Sequence, residues 1–162
     1  MIIRNLKIVL VVLVSLQALL IAVQNVVNLD AAYQSVAYVV SNQDHTVYAS
    51  SIGPAITNPI LIWIALAIIL IGEFSAGFLA AKGAFDLWSN RNGSATEFRA
   101  AKKFGLLGCG MSMVVFFGLF MVIAGYYFQM WQTQIGAASF NGAFQYFTAS
   151  ALVMLFLNMA DD

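Results

Sequence analysis

The sequence predicts an all-α protein: a four-helix transmembrane bundle, with a short interfacial helix in the first extracytoplasmic loop. Three observations carry this reading. Apolar residues make up 62% of the chain and charged residues only 9%, against about 25% charged in soluble domains. The apolar residues gather into four runs, about 8–24, 59–82, 104–127 and 142–159, and each can cross about 30 Å of hydrocarbon as a helix. All seven Lys and Arg lie before the first run or around the connection between the second and third. By the positive-inside rule both termini and that middle connection are cytoplasmic, which requires an even number of spans. The runs leave no room for a soluble catalytic domain, so residues 1–162 read as one integral membrane domain.

The first run follows the basic flank Arg4 and Lys7. A basic start before an apolar stretch also suits a signal peptide. No small-x-small cleavage pattern follows Ala22, however, so the segment is expected to stay as a span. The connection from Asn25 to Asn58 is the longest. Within it Asp30 is a candidate cap for a short helix whose Tyr33, Val36, Ala37 and Val40 share one face. Such a stripe lies along the interface or on neighbouring helices, as a lid or as a ligand-binding loop. Ser41 to His45 reads as its exposed tip.

Asn58-Pro59 opens the second span, with Asn at the cap and Pro at the first helical position, where its missing N–H is not needed. Trp63 and Trp88 suit the two aromatic belts. Asn92-Gly93 marks a turn, and Ser94 to Glu97 forms a capping-box pattern that starts the third helix. That helix carries Arg99, Lys102 and Lys103 through the headgroups. A polar stretch from Gln129 to Asn141 leads to the fourth span and a short acidic tail, Asp161-Asp162.

Glu73 is the one ionisable side chain inside an apolar run. A charge at the bilayer centre costs about 2.5–3.5 kcal/mol on insertion scales, so the residue marks a site or has a hidden partner. At similar depth lie Gln17, Ser75, Ser112, Gln145 and Thr148, and these are its candidate partners. Three readings stay open: a neutral, hydrogen-bonded carboxyl stapling the bundle, a proton- or cation-handling site, or a group awaiting a basic residue on another subunit. Small residues let helix backbones approach closely in lipid. Gly72, Ala76, Gly77 and Ala80 form such a ridge on the second span, and Gly105, Gly108 and Ser112 load the third. These two spans are expected to be the tightest pair.

The remaining reactive residue types point away from chemistry. His45 is the only histidine and Cys109 the only cysteine. The first reads as a solvated loop residue and the second as packing in an apolar setting. No Ser/His/Asp set, phosphate-cradling Gly loop or metal-ligand spacing occurs, so no cofactor, metal or catalytic residue is expected. The basic middle connection reads as a membrane-surface signature and not as a nucleic-acid site.

The whole organisation resembles an uncharacterised bacterial family of predicted small integral membrane proteins, known by a domain-of-unknown-function label. The resemblance rests on Val36-Ala37-Tyr38-Val39-Val40-Ser41, on Ala55-Ile56-Thr57-Asn58-Pro59, and on Glu73 in the span that follows. Tyr38 and Asn42-Gln43-Asp44 stand where members of that family often carry His and a Met-Asp step. The resemblance implies a bacterial inner-membrane setting and no established activity. The functional expectation is a non-enzymatic scaffold or accessory subunit in the lipid bilayer, associating with other subunits or with itself through the Gly/Ala ridges and Glu73. The rival is a small proton-coupled transporter or channel using Glu73.

Overall fold

The computed structural model describes residues 1–48 and 50–161. The described elements are helical: α1 (Ile2–Val27), α2 (Leu29–Val40), α3 (Pro59–Ser89), α4 (Ala95–Ala101), α5 (Lys103–Met113), a π-helical segment (Val114–Tyr127), a 3-10 turn (Met130–Gln132) and α6 (Gln134–Asn158). Helix α4, α5 and the π segment join end to end as one rod. Four helices are therefore long and apolar enough to cross a membrane.

Local chemistry explains most boundaries. Asn58 accepts a hydrogen bond from the Ile60 N–H at 2.9 Å, with Pro59 at the first helical position of α3. Ser94 and Glu97 form the reciprocal capping box at the start of α4. Three boundaries differ from the sequence reading. Helix α1 runs on to Val27 and takes in Arg4 and Lys7 at one end and Asn25 at the other. Helix α2 starts at Leu29, so Asp30 does not cap it but lies in its first turn, where a carboxylate complements the helix dipole. Helix α6 begins at Gln134, eight residues before the apolar run at 142–159, because the Thr133 hydroxyl accepts from the Gly136 N–H at 3.0 Å. A side chain at Gly136 would collide with the Met130 carbonyl, so this cap needs glycine.

The π segment has no warning in the sequence. Its last turn closes with an i→i−5 hydrogen bond, Phe128 N–H to Ile123 C=O at 3.0 Å. Helices of this width usually occur as single turns and often at functional sites; here the winding persists over 14 residues.

Helix α3 is the centre of the bundle. A Cβ at Gly83 would collide with the backbone of Gly105, and one at Gly108 with the backbone of Ala80. The two backbones therefore touch. The same ridge serves a second neighbour: a Cβ at Gly77 would sit 2.5 Å from the Leu19 side chain of α1. Ser15 adds a polar tie between these helices, donating to the Gly77 carbonyl at 2.9 Å. Ala76 and Ala80 are fully buried. Gly72 faces Val115 of the third span. Helix α6 packs mainly on the third span, where the Ser112 and Ser150 hydroxyls meet at 2.8 Å in the interior. Cys109 is buried in the core with Val11, Leu87 and Phe98.

Helix α2 folds back over α3. Tyr33 packs at a tilt against Trp63 with ring centroids 4.7 Å apart, and Val40 joins Ile62 and Phe128 in a small cluster with Val36 and Ala37 beside it. The connection after α2 is tied to the opposite connection. Gln132 Oε1 accepts from the Val47 and Tyr48 N–H groups at 2.9 and 2.8 Å, and Gly53 N–H donates to the Tyr127 carbonyl at 3.1 Å. Within its tip Gln43 and Asp44 are exposed, whereas Ser41, Asn42 and His45 are half-buried. That burial lowers the His45 pKa, so this side chain is less solvated than its place in the sequence suggests.

Candidate intramembrane site

Glu73 lies about 21 Å along α3 from Pro59, at 1.5 Å per residue, and its surface is wholly buried. The antiparallel register of α1 and α3 decides what it meets. Arg4 lies beside the 91–93 turn, Ser15 beside Gly77, and Asn25 beside Glu73. The Asn25 Nδ2 donates to Glu73 Oε1 at 3.2 Å and to Oε2 at 3.0 Å. One amide group thus serves both carboxyl oxygens.

None of the five candidate partners hydrogen-bonds the Glu73 carboxyl. Ser112 pairs with Ser150 on α6. Gln17 is half-buried, and its Nε2 has no hydrogen-bond partner among the described residues. Ser75 and Thr148 are half-buried without a bond to the carboxyl, and Gln145 faces outward. The partner that sequence reasoning missed is Asn25. Ending the first apolar run at about residue 24 put it in a loop; extending the helix by one turn, against the antiparallel partner, brings it level with Glu73.

Asn25 also lines a cavity of about 410 Å³. Helix α2, the first third of α3, the π segment and the start of α6 line it and leave it half open, with Val36, Ile69, Leu119 and Ile123 among its apolar walls. It occupies the half of the bundle that holds the 28–58 and 128–133 connections.

A second polar cluster closes the other end. The Lys7 ammonium donates to the Met159 carbonyl at 2.7 Å and to Asp161 Oδ1 at 2.6 Å. Lys102 donates to the same carbonyl at 2.8 Å and ion-pairs with Asp161 Oδ2. All three side chains are almost fully enclosed. Arg4 is also turned inward, donating to the Arg91 and Gly93 carbonyls at 3.1 and 2.7 Å with its guanidinium 4.8 Å over the buried Phe98 ring. Lys102 is therefore turned into the bundle, whereas Arg99 and Lys103 on the same helix end are exposed. Burial alone would raise the Asp161 pKa, but Lys102 and Lys7 beside it hold the carboxyl below its ordinary range.

Four apolar spans around a wholly buried carboxyl define an integral membrane protein of several spans. The chain belongs to the family described as predicted small integral membrane protein (DUF2165), whose profile matches residues 3–160. No curated protein and no solved structure matches the chain. Among the described residues no group of three or more His, Cys, Asp or Glu is placed to hold a metal ion.

Proposed function

We propose that this protein is a non-enzymatic membrane scaffold that self-associates through the outer face of α6. The Gly/Ala ridges of α3 and α5 are spent inside the chain, where a Cβ at Gly77, Gly83 or Gly108 has no room. They leave little small-residue surface for a partner, so association falls to another face. Gln145 carries the reading. It is exposed near the middle of α6, about 20 Å from Asn158 and about 17 Å from Gln134, a depth at which the surroundings are hydrocarbon. An amide left in hydrocarbon without a partner costs several kcal/mol on water-to-alkane scales.

The same face carries Gln134, Ala138, Asn141, Ala149 and Leu152, all exposed and spaced by three or four residues. Its small side chains allow a helix to approach and its amides can bond across the contact. An amide both donates and accepts, so Gln145 complements its own copy across a two-fold axis. This self-complementarity favours a second copy over an unrelated subunit. The gathering of Arg4, Lys7, Arg91, Arg99, Lys102 and Lys103 at one end supports that end, with both termini, being cytoplasmic in a bacterial inner membrane.

Blue-native electrophoresis after mild detergent extraction tests the scaffold. Wild type is expected to migrate above the monomer and Gln145→Leu as a monomer. Migration of wild type as a lone monomer counts against it. One observation favours a second reading, a small proton-coupled transporter or channel: Asn25, the partner of Glu73, also lines the cavity. Proteoliposomes would then show pH-dependent flux that Glu73→Gln abolishes, and silent vesicles would remove that reading.

A further inference from the structure

The cavity behind Asn25 has a composition that restricts what it can hold. Its walls are aliphatic and aromatic side chains, and its polar lining residues are Asn25, Ser35 and Ser139. The Ser35 hydroxyl is already committed to the Ala31 carbonyl at 2.8 Å. A volume of about 410 Å³ falls within the range of about 300–1,000 Å³ usual for small-molecule sites. The site is half open, with Ile68 and Ile123 exposed at its rim, and its mostly apolar lining favours apolar guests. Here one wall is made by Leu119, Phe120, Ile123 and Ala124, all within the π-wound segment.

The polar end of a guest is set by Asn25. Its Nδ2 faces both oxygens of Glu73, so the amide has its acceptor oxygen left to offer. A guest must therefore bring a donor, and the enclosed Glu73 carboxyl beside it disfavours an anionic group. At Asn25 a hydroxyl on an otherwise apolar chain satisfies both demands; an ester, which only accepts, could be met only by the Ser139 hydroxyl on α6.

We propose that this cavity binds a neutral, single-chain membrane alcohol, with its chain against the walls from α2, α3 and the π segment and its hydroxyl donating to Asn25 Oδ1. This assignment is independent of self-association through α6, whose outer stripe lies on a different surface.

The test is photolabelling of the purified full-length protein in phosphatidylcholine nanodiscs with a diazirine-bearing hexadecanol, followed by peptide mass spectrometry. Label is expected on the 32–40 and 119–124 segments. Unlabelled hexadecanol should remove it, whereas methyl palmitate, which lacks a donor, should compete about tenfold less well. Ala124→Phe, which fills the cavity, should lose this label while keeping background label at the exposed Phe78 and Leu155. Label spread evenly over lipid-facing residues and not displaced by hexadecanol overturns the proposal. Equal competition by methyl palmitate overturns it too, and both competition results are read on wild type, whatever the folding of the variant.

Discussion

Removing one member of the Asn25–Glu73 pair strands a buried polar group, whereas removing both leaves an apolar contact. Asn25→Leu alone is expected to destabilise the bundle by about 1–3 kcal/mol, and the double variant with Glu73→Leu by much less. A double-mutant cycle from thermal melts in detergent checks this; additive losses would mean that the two side chains act independently. At the opposite end, Asp161→Asn leaves Lys7 and Lys102 enclosed with no anion between them, an expected loss of about 3–5 kcal/mol. The sign of the pH effect follows from the lowered Asp161 pKa. The unfolded carboxyl, near the ordinary value of about 3.9, takes up its proton first as pH falls. The stability from this clasp is thus complete at neutral pH and lost as pH drops through the folded pKa. Melting temperature should fall more steeply below about pH 4 in wild type than in the Asn variant; parallel curves would contradict the assignment. Glu73 was legible as a buried group because a lone carboxylate in an apolar run has few alternatives. Its partner was not, since Asn25 lies past the end of the apolar run and becomes helical only through packing on α3. Asp161 gave no sign either: a charge after the last span reads as a flank until Lys7 and Lys102 are brought beside it by the fold.

Along the elements, glycine is required only where backbones touch. Gly83→Ala and Gly108→Ala push a methyl group into the facing backbone, and each should destabilise the bundle by at least about 1–3 kcal/mol, the usual cost of overpacking. Gly110→Ala and Gly118→Ala meet open space and should leave the melting temperature unchanged or raise it, since Ala favours helix by up to about 1 kcal/mol. Thermal melts of the four variants decide whether the α3–α5 contact orders them this way. The spans themselves were readable from apolar length, and the starts of α3 and α4 from Asn58-Pro59 and from Ser94 with Glu97. The α6 start was hidden because its polar first turns resemble a loop, and the signal that decides it is the single Thr133–Gly136 bond. The π winding after Met113 follows no residue pattern that separates it from an ordinary apolar helix.

For the whole molecule, the bundle is closed by internal pairing: α1 on α3, α3 on α5, and the third span on α6. Among the described residues two amides at span depth lack a partner, the half-buried Gln17 on α1 and the exposed Gln145 at mid-helix on α6, and the scaffold reading depends on a second copy supplying the partner of Gln145. The sequence pointed to Gln145 as a lipid-depth polar group but aimed it at Glu73, because position along a helix gives depth and not which way a side chain faces. Cysteine scanning of α6 in native membranes, in a Cys109→Ala background, tests the central claim most directly. Oxidative cross-linking between copies is predicted at positions 138, 141, 145, 149 and 152, with little at the buried positions 143, 150 and 157. Cross-linking absent from the whole helix, or equal around its circumference, would contradict self-association through this face.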